Sequence, residues 1–458
     1  MATPLLDRER ELRTLEGSAR RPGGQLVIVW GRRRVGKTFL LQAFTEGRHA
    51  IYYAAAQQSE PVELAGFTDA CRKIFGEDPL PAGYRFPDWS TALDFVSTRA
   101  GRRRLIVVLD EFPYLAAATK GLEGIVQRWW DQQGKRGRLT LVLCGSAVSY
   151  MQQIQGPSAP LHQRATIMLH VPPLSYRAAG LFTPRLGPGE RAVVYGILGG
   201  SPLYLEMWDQ RMSVRENLLR LFGTPTSPLV DAPELVLSGE IPQTEGAFRI
   251  LQAVANGRTQ LGEIGDYARV AAERPVKRLL RLGILERRVP ALDDPDRSKR
   301  GVYRIADPYF AFWFRFIQAN RAQISRGLGS RLVDGLILPL LDDHMGLVFE
   351  EMAREYVRSL AGPGKLSADR IESWWSADGQ HEIDIVGISE TRTISVVGTV
   401  KWSKEPLGRR ALVDLERHAT ALPAPASAIR VLIGRSGCRP GWSAGRGVRC
   451  YSVDDMYS

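Results

Sequence analysis

The stretch QLVIVWGRRRVGKTFLLQAF, residues 25–44, decides the fold of this chain. It opens with an apolar run typical of a buried strand and closes with the periodic apolar residues of an amphipathic helix. Between them lies the pattern G-x-x-x-x-G-K-[ST], whose glycines let backbone N–H groups turn inward around phosphates at a helix N-terminus. Lys37 can neutralise the β- and γ-phosphates of a nucleotide, and the Thr38 hydroxyl can ligate Mg²⁺. The stretch therefore predicts a phosphate-binding loop (P-loop) that contacts a nucleoside triphosphate through Gly31, Arg32, Arg33, Arg34, Val35, Gly36, Lys37, Thr38 and Phe39.

An acidic pair follows another buried strand. The segment RLIVVLDEFPYL, residues 104–115, places Asp110 and Glu111 at the carboxyl end of an aliphatic run, which is the end at which ligands bind in open α/β sheets. We expect Asp110 to hold Mg²⁺ through water and Glu111 to orient or deprotonate the attacking water. Such a pair can also do no more than cap the next helix. With the P-loop upstream, the pair indicates hydrolysis of the nucleotide.

Two further polar residues are candidates for a catalytic role. Ser146 follows the buried strand of LTLVLCGSAVSYM, residues 139–151. In P-loop ATPases with an inserted central strand, a polar residue at this place senses the γ-phosphate, and the alternative is an ordinary helix N-cap. Arg164 is a candidate arginine finger that acts across a subunit interface, and the alternative is a solvated surface charge.

Apolar runs alternate with helical patterns over the first 175 residues. This alternation predicts the α/β class, with a parallel P-loop NTPase sheet and helices on both of its faces. At 458 residues the chain is too long for one hydrophobic core, so further domains must follow. The strands that we predict are Gln25 to Trp30, Ala50 to Ala54, Leu105 to Leu109, Leu139 to Leu143 and Met168 to Val171.

The chain carries a formal net charge of +12, and a basic surface attracts polyanions such as DNA. The excess is mostly arginine, which can equally reflect a compositional bias of the genome. Charge alone therefore leaves DNA contact open.

The compartment is indicated by what the sequence lacks. No apolar run is long enough to span a bilayer, and the opening MATPLLDRER has no apolar region of a secretory signal. The four cysteines, Cys71, Cys144, Cys438 and Cys450, are scattered without C-x-x-C spacing, which argues against a zinc site and against a disulfide framework. We therefore expect a cytoplasmic protein with no membrane contact.

The motifs resemble those of the archaeal-type ATPase family within the AAA+/STAND group of P-loop ATPases. The matching stretches are LDREREL, GRRRVGKTFLL, VVLDEFPYL, LCGSAVSYM, PLSYRAA and GGSPLYL. The resemblance implies ATP with Mg²⁺ as the bound nucleotide, and it is compatible with a homo-oligomer. It also implies that the segment DRE, residues 7–9, frames the nucleotide. The turn GSP, residues 200–202, looks like the G-x-P motif that STAND ATPases place against it.

Patterning and the resemblance together predict four domains. They are a P-loop ATPase core over 1–175, a helical lid over 176–235, a winged helix over 236–316 and an α/β restriction-endonuclease-like (nuclease-like) domain over 317–458. The aromatic segment DPYFAFWFRF, residues 307–316, is typical of a core plug.

The winged-helix prediction rests on three short helices before a β-hairpin. We predict these helices over Phe248 to Ala255, Leu261 to Tyr267 and Ala271 to Leu280. The third helix region carries Arg274, Lys277, Arg278 and Arg281. Basic residues on a recognition helix suit phosphate contacts. STAND-like relatives also use this module as a hinge that responds to nucleotide, so both roles remain open.

By the same resemblance, the last domain matches the PD-(D/E)xK nuclease pattern at Glu350 and Asp384. Such nucleases need clustered carboxylates for Mg²⁺ and a lysine near the attacking water, and Lys401 fits that lysine. The family's acidic residue before it is Thr399 here, which removes a metal ligand, although Glu382 shares a strand face with Asp384 and could substitute. A DNA-binding or structural remnant is favoured over an active nuclease.

Three functions fit these predictions. The first is an ATPase that couples nucleotide state to DNA binding or processing. The second is a STAND-type switch that oligomerises and signals through protein partners. The third is a nucleotide-gated DNA-binding regulator that uses the winged helix.

Overall fold

The computed structural model describes residues 6–101, 103–241, 244–362, 366–423, 427–442 and 445–458. Residues 1–5, where we predict no secretory signal, lie outside these ranges. The chain forms two compact units, Met1–Pro173 and Leu174–Ser458, and each is considered by itself. The finer division of the second unit into lid, winged helix and nuclease-like domain stays a prediction.

The first unit is built on a parallel sheet of five strands, in the order β2-β3-β4-β1-β5. The strands are β1 (Gln25–Trp30), β2 (Ala50–Ala54), β3 (Leu105–Asp110), β4 (Leu139–Gly145) and β5 (Ile167–His170). The helices are α1 (Glu9–Arg20), α2 (Lys37–Thr45), α3 (Glu60–Phe75), α4 (Trp89–Arg99), α5 (Phe112–Ala118), α6 (Leu122–Gln132) and α7 (Val148–Gln153), and a 3₁₀ turn covers Gly134–Arg136. All five predicted strands are confirmed.

Alternation along β1 divides the core of the first unit into two layers. Leu26 and Ile28 belong to the core cluster on one side of the sheet, and Val27 and Val29 belong to the cluster on the other side. Strands buried on both faces read as continuous apolar runs, which is why the sequence shows them clearly. Because β4 lies between β1 and β3, the carboxyl ends of these three strands meet at one edge of the sheet.

The second unit contains a helical part, a hairpin and a second sheet. Its helices are α8 (Tyr176–Gly180), α9 (Pro188–Leu198), α10 (Pro202–Leu205), α11 (Val214–Phe222), α12 (Pro228–Ser238), α13 (Thr244–Ala255), α14 (Leu261–Ala268), α15 (Glu273–Arg281), α16 (Pro308–Phe312), α17 (Arg321–Ser325), α18 (Gly329–Leu332), α19 (Leu338–Leu360), α20 (Arg409–Ala419) and α21 (Val453–Tyr457), with π-turns at Trp313–Ile317 and Val333–Ile337 and a 3₁₀ turn at Gln318–Asn320. Its strands are β6 (Leu285–Arg288), β7 (Val302–Ile305), β8 (Arg370–Trp375), β9 (Glu382–Ile388), β10 (Ile394–Lys401), β11 (Ile429–Gly434) and β12 (Val448–Ser452).

The predicted three helices and hairpin are present as α13, α14, α15 and the antiparallel pair β6–β7. Their identity as a winged helix stays a prediction. The aromatic segment 307–316 is buried, as expected for a core plug. Its polar atoms are satisfied as well, because Tyr309 OH donates to Leu229 O and Trp313 Nε1 to Val230 O, both at 2.8 Å.

The second sheet is mixed and has the order β12-β11-β10-β9-β8. Strands β8, β9 and β10 pair antiparallel, whereas β10, β11 and β12 pair parallel. Helix α19 packs against β8 and β10, and α20 packs against β9, β10 and β11. This is a separate α/β layer, as the fold prediction required.

The expectation that the cysteines form no disulfide is wrong. Cys438 and Cys450 are bonded, with their Cα atoms 6.2 Å apart. Cys450 lies on β12. Cys438 lies in the loop after β11, where its backbone forms an isolated β-bridge with Leu407. The pairing of β12 with β11 places Cys450 near the loop that carries Cys438, and a spacing of 12 residues is not a motif that predicts this disulfide. Cys71 and Cys144 are free and buried.

In the part of the chain that the structure describes, no helix combines the length and the apolar character needed to span a bilayer.

Candidate nucleotide-binding site

The P-loop joins β1 to α2 through a tightly turned backbone in which two positions favour glycine. An ideal Cβ at Gly31 would lie 2.2 Å from the carbonyl oxygen of Val171, so a larger residue would displace the loop. Gly36 precedes α2 with φ 91°, and Arg34 has φ 70°. Both conformations lie in the left-handed region. A loop of this kind can turn successive N–H groups towards an anion.

Lys37 is the first residue of α2 and is only 6% exposed. Its ammonium donates to the carbonyl oxygens of Gly31 at 2.8 Å and Arg32 at 3.0 Å. Burial lowers the pKa of Lys37, and the nearby groups of Cys144 and Glu111 oppose that shift. The ammonium is therefore held inside the loop by carbonyl groups that phosphate oxygens could replace.

Asp110 ends β3 with a buried carboxylate. Its Oδ2 accepts from the Thr38 hydroxyl at 2.9 Å and from the Tyr52 hydroxyl at 2.6 Å. Its Oδ1 accepts from the backbone N–H of Glu111 at 3.0 Å. Burial, followed by the Asp110 charge, raises the pKa of Tyr52 well above its usual value, so the phenol stays protonated and remains a donor. Both carboxylate oxygens are thus fixed by donors.

Glu111 has a left-handed backbone, with φ 53°. Its carboxylate accepts from Ser146 Oγ at 2.6 and 2.7 Å and lies 3.3 Å from the Ser146 backbone nitrogen. Ser146 directly follows β4, so the adjacency of β3 and β4 brings the two residues together. Helix α7 begins after Ala147, and the role of Ser146 as a γ-phosphate sensor stays a prediction. The sequence did not indicate that Ser146 binds Glu111.

The predicted framing segment, residues 7–9, contacts the P-loop. Arg8 is buried, and its guanidinium donates to Val35 O at 3.1 Å and to Pro172 O at 2.6 Å. It also pairs with Glu11 at 3.2 Å. Arg8 therefore ties the start of the chain to the P-loop backbone.

The remaining predicted residues lie around this site or apart from it. Arg33 donates to the hydroxyl of Tyr114, and Phe39 of α2 is 49% exposed. Arg164 forms a two-pronged ion pair with Asp131 of α6, with Nη2–Oδ2 at 2.8 Å and Nε–Oδ1 at 3.1 Å. The guanidinium is thus engaged within its own chain, and its role as an arginine finger stays a prediction.

Thr38 and Asp110 are suitable partners for Mg²⁺. Their oxygen atoms lie within hydrogen-bond distance of each other beside the P-loop lysine. Mg²⁺ prefers hard oxygen ligands, and proteins commonly bind it through one or two carboxylates together with substrate phosphates. The residues present therefore fit a Mg²⁺–nucleotide complex.

The predicted nuclease-like carboxylates belong to the second unit. Glu350 of α19 forms ion pairs with Arg304 of β7 at 3.5 Å and with Arg354 at 3.9 Å. Burial, and then the Asp384 charge, raises the pKa of Glu350. A carboxylate of the predicted metal site is therefore paired with two arginines, which oppose the rise in its pKa.

Asp384 is bound by Thr399, the residue that departs from the nuclease pattern. Asp384 Oδ2 accepts from the Thr399 hydroxyl at 3.1 Å and from the Val400 N–H at 2.7 Å. Glu382, at the start of β9, and Lys401, at the end of β10, are exposed. Among the described residues, no three His, Cys, Asp or Glu side chains are grouped so as to hold a metal ion. The nuclease-like assignment stays a prediction.

A second set of ion pairs joins the hairpin to α19. Glu351 binds Arg288 of β6 at 2.6 Å, Arg354 at 3.1 Å and Arg358 at 3.0 Å. Although burial opposes the shift, these arginines lower the pKa of Glu351 to about 2. The hairpin and α19 are therefore connected by two carboxylates, at adjacent positions of one helix.

Two parts of the chain are similar to known protein families. Residues 5–208 match a family model described as an ATPase domain predominantly from Archaea. Residues 313–414 match one described as archaeal and bacterial proteins of unknown function. The site described above lies within the part of the chain that is similar to this ATPase domain.

Individual relatives cover most of the chain. An uncharacterized protein of Methanocaldococcus jannaschii is 28% identical over 403 residues, which are 87% of each sequence. The Walker-type ATPase of Pyrococcus abyssi is similar in structure over 68% of this chain and 96% of its own, at 20% identity and a TM-score of 0.47. The ORC2 protein of Aeropyrum pernix is similar over 73% and 95%, at 14% identity and a TM-score of 0.42.

Proposed function

We propose that this chain binds ATP with Mg²⁺ at its P-loop, hydrolyses it, and couples the nucleotide state to DNA binding or processing. The observation that carries the proposal is the convergence of a buried ammonium, a hydroxyl, two carboxylates and a serine at one sheet edge. These groups belong to Lys37, Thr38, Asp110, Glu111 and Ser146. This set contains a donor for phosphate, ligands for a metal and a base for water.

Each group has one role in the proposed reaction. Lys37 leaves its carbonyl partners to bind the phosphates. Thr38, directly, and Asp110, through water, would hold Mg²⁺, which would supply charge neutralisation at the transferring phosphoryl group. Glu111 orients the attacking water and accepts its proton. The Ser146 hydroxyl contacts both the Glu111 carboxylate and the γ-phosphate. The position of the Glu111 carboxylate therefore depends on whether a triphosphate is bound.

Calorimetry tests the binding step. Wild-type protein should bind ATP in the presence of Mg²⁺, and Lys37→Ala should lose that affinity. Lys73→Ala is the matched control, because Lys73 is an exposed lysine of α3 in the same unit. If folded wild-type protein gives no heat with ATP and Mg²⁺, the proposal is wrong.

The DNA part of the proposal is supported by one face of α15. Arg274, Lys277 and Arg281 are exposed and recur at helical spacing, whereas Val276 and Leu279 of the same helix are buried. Three cations on one exposed face suit contacts to successive phosphates. The fourth predicted cation of this helix is Arg278, which donates to a backbone carbonyl instead.

A salt titration of duplex binding tests this face. Replacing all three exposed cations by alanine should weaken binding of any DNA sequence and lower the salt slope by about one to three ions. The control variant replaces Arg185, Arg326 and Arg331, which are exposed in the same unit and carry the same charge. An equal loss of DNA affinity in both variants would show that binding depends on net charge. It would contradict the proposal that this face of α15 binds DNA.

The same preparation separates the competing functions. DNA-stimulated turnover supports the ATPase proposed above, and tight DNA binding with negligible turnover supports a nucleotide-gated regulator. Oligomerisation that follows the nucleotide, measured by light scattering without DNA affinity, supports the STAND-type switch.

For the C-terminal sheet we propose DNA binding or a structural role without cleavage. Thr399 occupies the acidic position of the nuclease pattern, and Glu350 is paired with two arginines. Wild-type protein should therefore not nick plasmid DNA in Mn²⁺ or Mg²⁺. Nicking that disappeared in Asp384→Ala would overturn this assignment.

A further inference from the structure

Tyr52 reaches the P-loop carboxylate from the neighbouring strand. β2 pairs with β3 in parallel, with Tyr52 opposite Val108 and Ala54 opposite Asp110. Side chains alternate between the faces of a sheet, so residues two apart on one strand share a face. Tyr52 therefore lies on the same face of the sheet as Asp110, two residues before the position opposite it. Its long side chain places the hydroxyl 2.6 Å from Asp110 Oδ2.

Tyr53, the next residue, faces the opposite layer. Its hydroxyl donates to Glu63 of α3, and its ring packs against the core cluster on that side of the sheet. Tyr52 packs in the other cluster, beside α2. The two adjacent tyrosines thus have separate partners. Of the two hydroxyls, that of Tyr52 binds Asp110 and that of Tyr53 binds Glu63.

The hydroxyl of Tyr52 has a defined role in the hydrogen bonding of Asp110. Asp110 as a whole residue is 3% exposed, so water cannot readily replace a lost donor to its carboxylate. Thr38 donates to the same oxygen, and Glu111 donates through its backbone to the other. Without the phenol, Oδ2 keeps the Thr38 hydroxyl as its partner, and Thr38 is itself the residue proposed to ligate Mg²⁺.

We propose that Tyr52 is a positioning residue for the metal, which holds the Asp110 carboxylate in the orientation that Mg²⁺ binding requires. This inference rests on the ATP and Mg²⁺ site proposed above. Tyr52 donates to Asp110 and touches no phosphate in the proposed scheme. Hydrogen-bond partners of metal-binding side chains typically change metal affinity by about 10- to 100-fold when they are removed.

The test is the Mg²⁺ dependence of nucleotide binding. Tyr52→Phe removes the hydroxyl and keeps the ring, and Tyr53→Phe is the same change at the adjacent residue. Calorimetry with the non-hydrolysable analogue AMP-PNP, repeated over a series of free Mg²⁺ concentrations, gives the concentration at which Mg²⁺ exerts half of its effect on affinity. We expect Tyr52→Phe to raise that concentration about 10-fold, with unchanged affinity in EDTA and no shift for Tyr53→Phe.

Each alternative outcome identifies which statement fails. If wild-type protein does not bind AMP-PNP with Mg²⁺, the proposed function fails with it. If wild-type protein binds and Tyr52→Phe has the same Mg²⁺ dependence, the inference is wrong and the nucleotide site stands. If both tyrosine variants change the half-effect Mg²⁺ concentration equally, or if Tyr52→Phe also weakens binding in EDTA, the hydroxyl affects the packing of the site and not the metal specifically. The inference is then wrong as well.

Discussion

Replacing Glu111 with glutamine removes a base and preserves the shape of the side chain. The carboxylate receives the Ser146 hydroxyl at 2.6 and 2.7 Å and faces the Ser146 nitrogen at 3.3 Å. An amide oxygen can still accept from the same hydroxyl, so the variant should lose about 1 kcal/mol of unfolding free energy or less. Because Lys37 and Thr38 are unchanged, affinity for ATP with Mg²⁺ should stay within about threefold of wild type.

Turnover should respond very differently from binding. An amide cannot accept the proton of the attacking water, and a positioned general base contributes about 10²- to 10⁴-fold to rate. This corresponds to about 3 to 5 kcal/mol of activation free energy. The assay is phosphate release at saturating ATP, combined with calorimetry on the same preparation to show that the nucleotide still binds.

Glu123→Gln is the matched control for this variant. Glu123 of α6 also accepts a hydrogen bond from a hydroxyl, that of Tyr150, but it lies outside the P-loop edge of the sheet. The control should turn over at the wild-type rate. Wild-type turnover in Glu111→Gln, or an equal loss in both variants, would refute the assignment of Glu111 as the base.

Four further perturbations have definite expected results. Ser146→Ala should lower phosphate release by about 10-fold or more at unchanged affinity for ADP, because a charge-assisted hydrogen bond to Glu111 is worth about 1.5 to 3 kcal/mol; reduced ADP affinity would contradict this. Burial lowers the pKa of His344 to about 4, so the unfolded state binds a proton first and stability should fall by about 3 kcal/mol as pH decreases from about 6.5 to 4. Urea unfolding should show a flatter pH dependence for His344→Gln than for wild type, and parallel curves would exclude this residue. Arg354→Met removes a buried guanidinium that binds two glutamates, and should cost about 3 to 5 kcal/mol in the same assay. Cys438→Ser opens a loop closed over 12 residues and should cost about 3 kcal/mol, which a thermal melt with and without reductant checks.

The sheet of the first unit could be predicted from the sequence because burial on both faces removes polar residues from its strands. Each predicted strand, such as Gln25 to Trp30, agrees with the observed one to within two residues. The edge at which Lys37, Asp110 and Ser146 meet followed from the rule that ligands bind at the carboxyl ends of parallel strands. That part of the site depends on chain order and strand adjacency alone.

What the sequence did not indicate depends on strand register and on loops. In the sequence, Tyr52 reads as one residue of a buried strand. Its contact with Asp110 becomes visible only from the register in which β2 pairs with β3. The same holds for Cys438 and Cys450, which come together through the pairing of β11 with β12 and through the loop that follows β11. The nuclease pattern did place Glu350 and Asp384 within electrostatic reach of each other. It could not reveal Arg304, because ion pairs between distant segments leave no periodic signal.

The pairing of Arg304 with Glu350 has a thermodynamic consequence. Glu350 cannot serve both this guanidinium and an added cation with full strength, so the two ligands compete for one carboxylate. By linkage, a cation that bound Glu350 would have to compete with Arg304, so its binding would weaken the contact between the β6–β7 hairpin and α19 by the same free energy that this contact takes from the affinity for the cation. The guanidinium of Arg304 therefore already occupies the place that a metal ion would need beside Glu350.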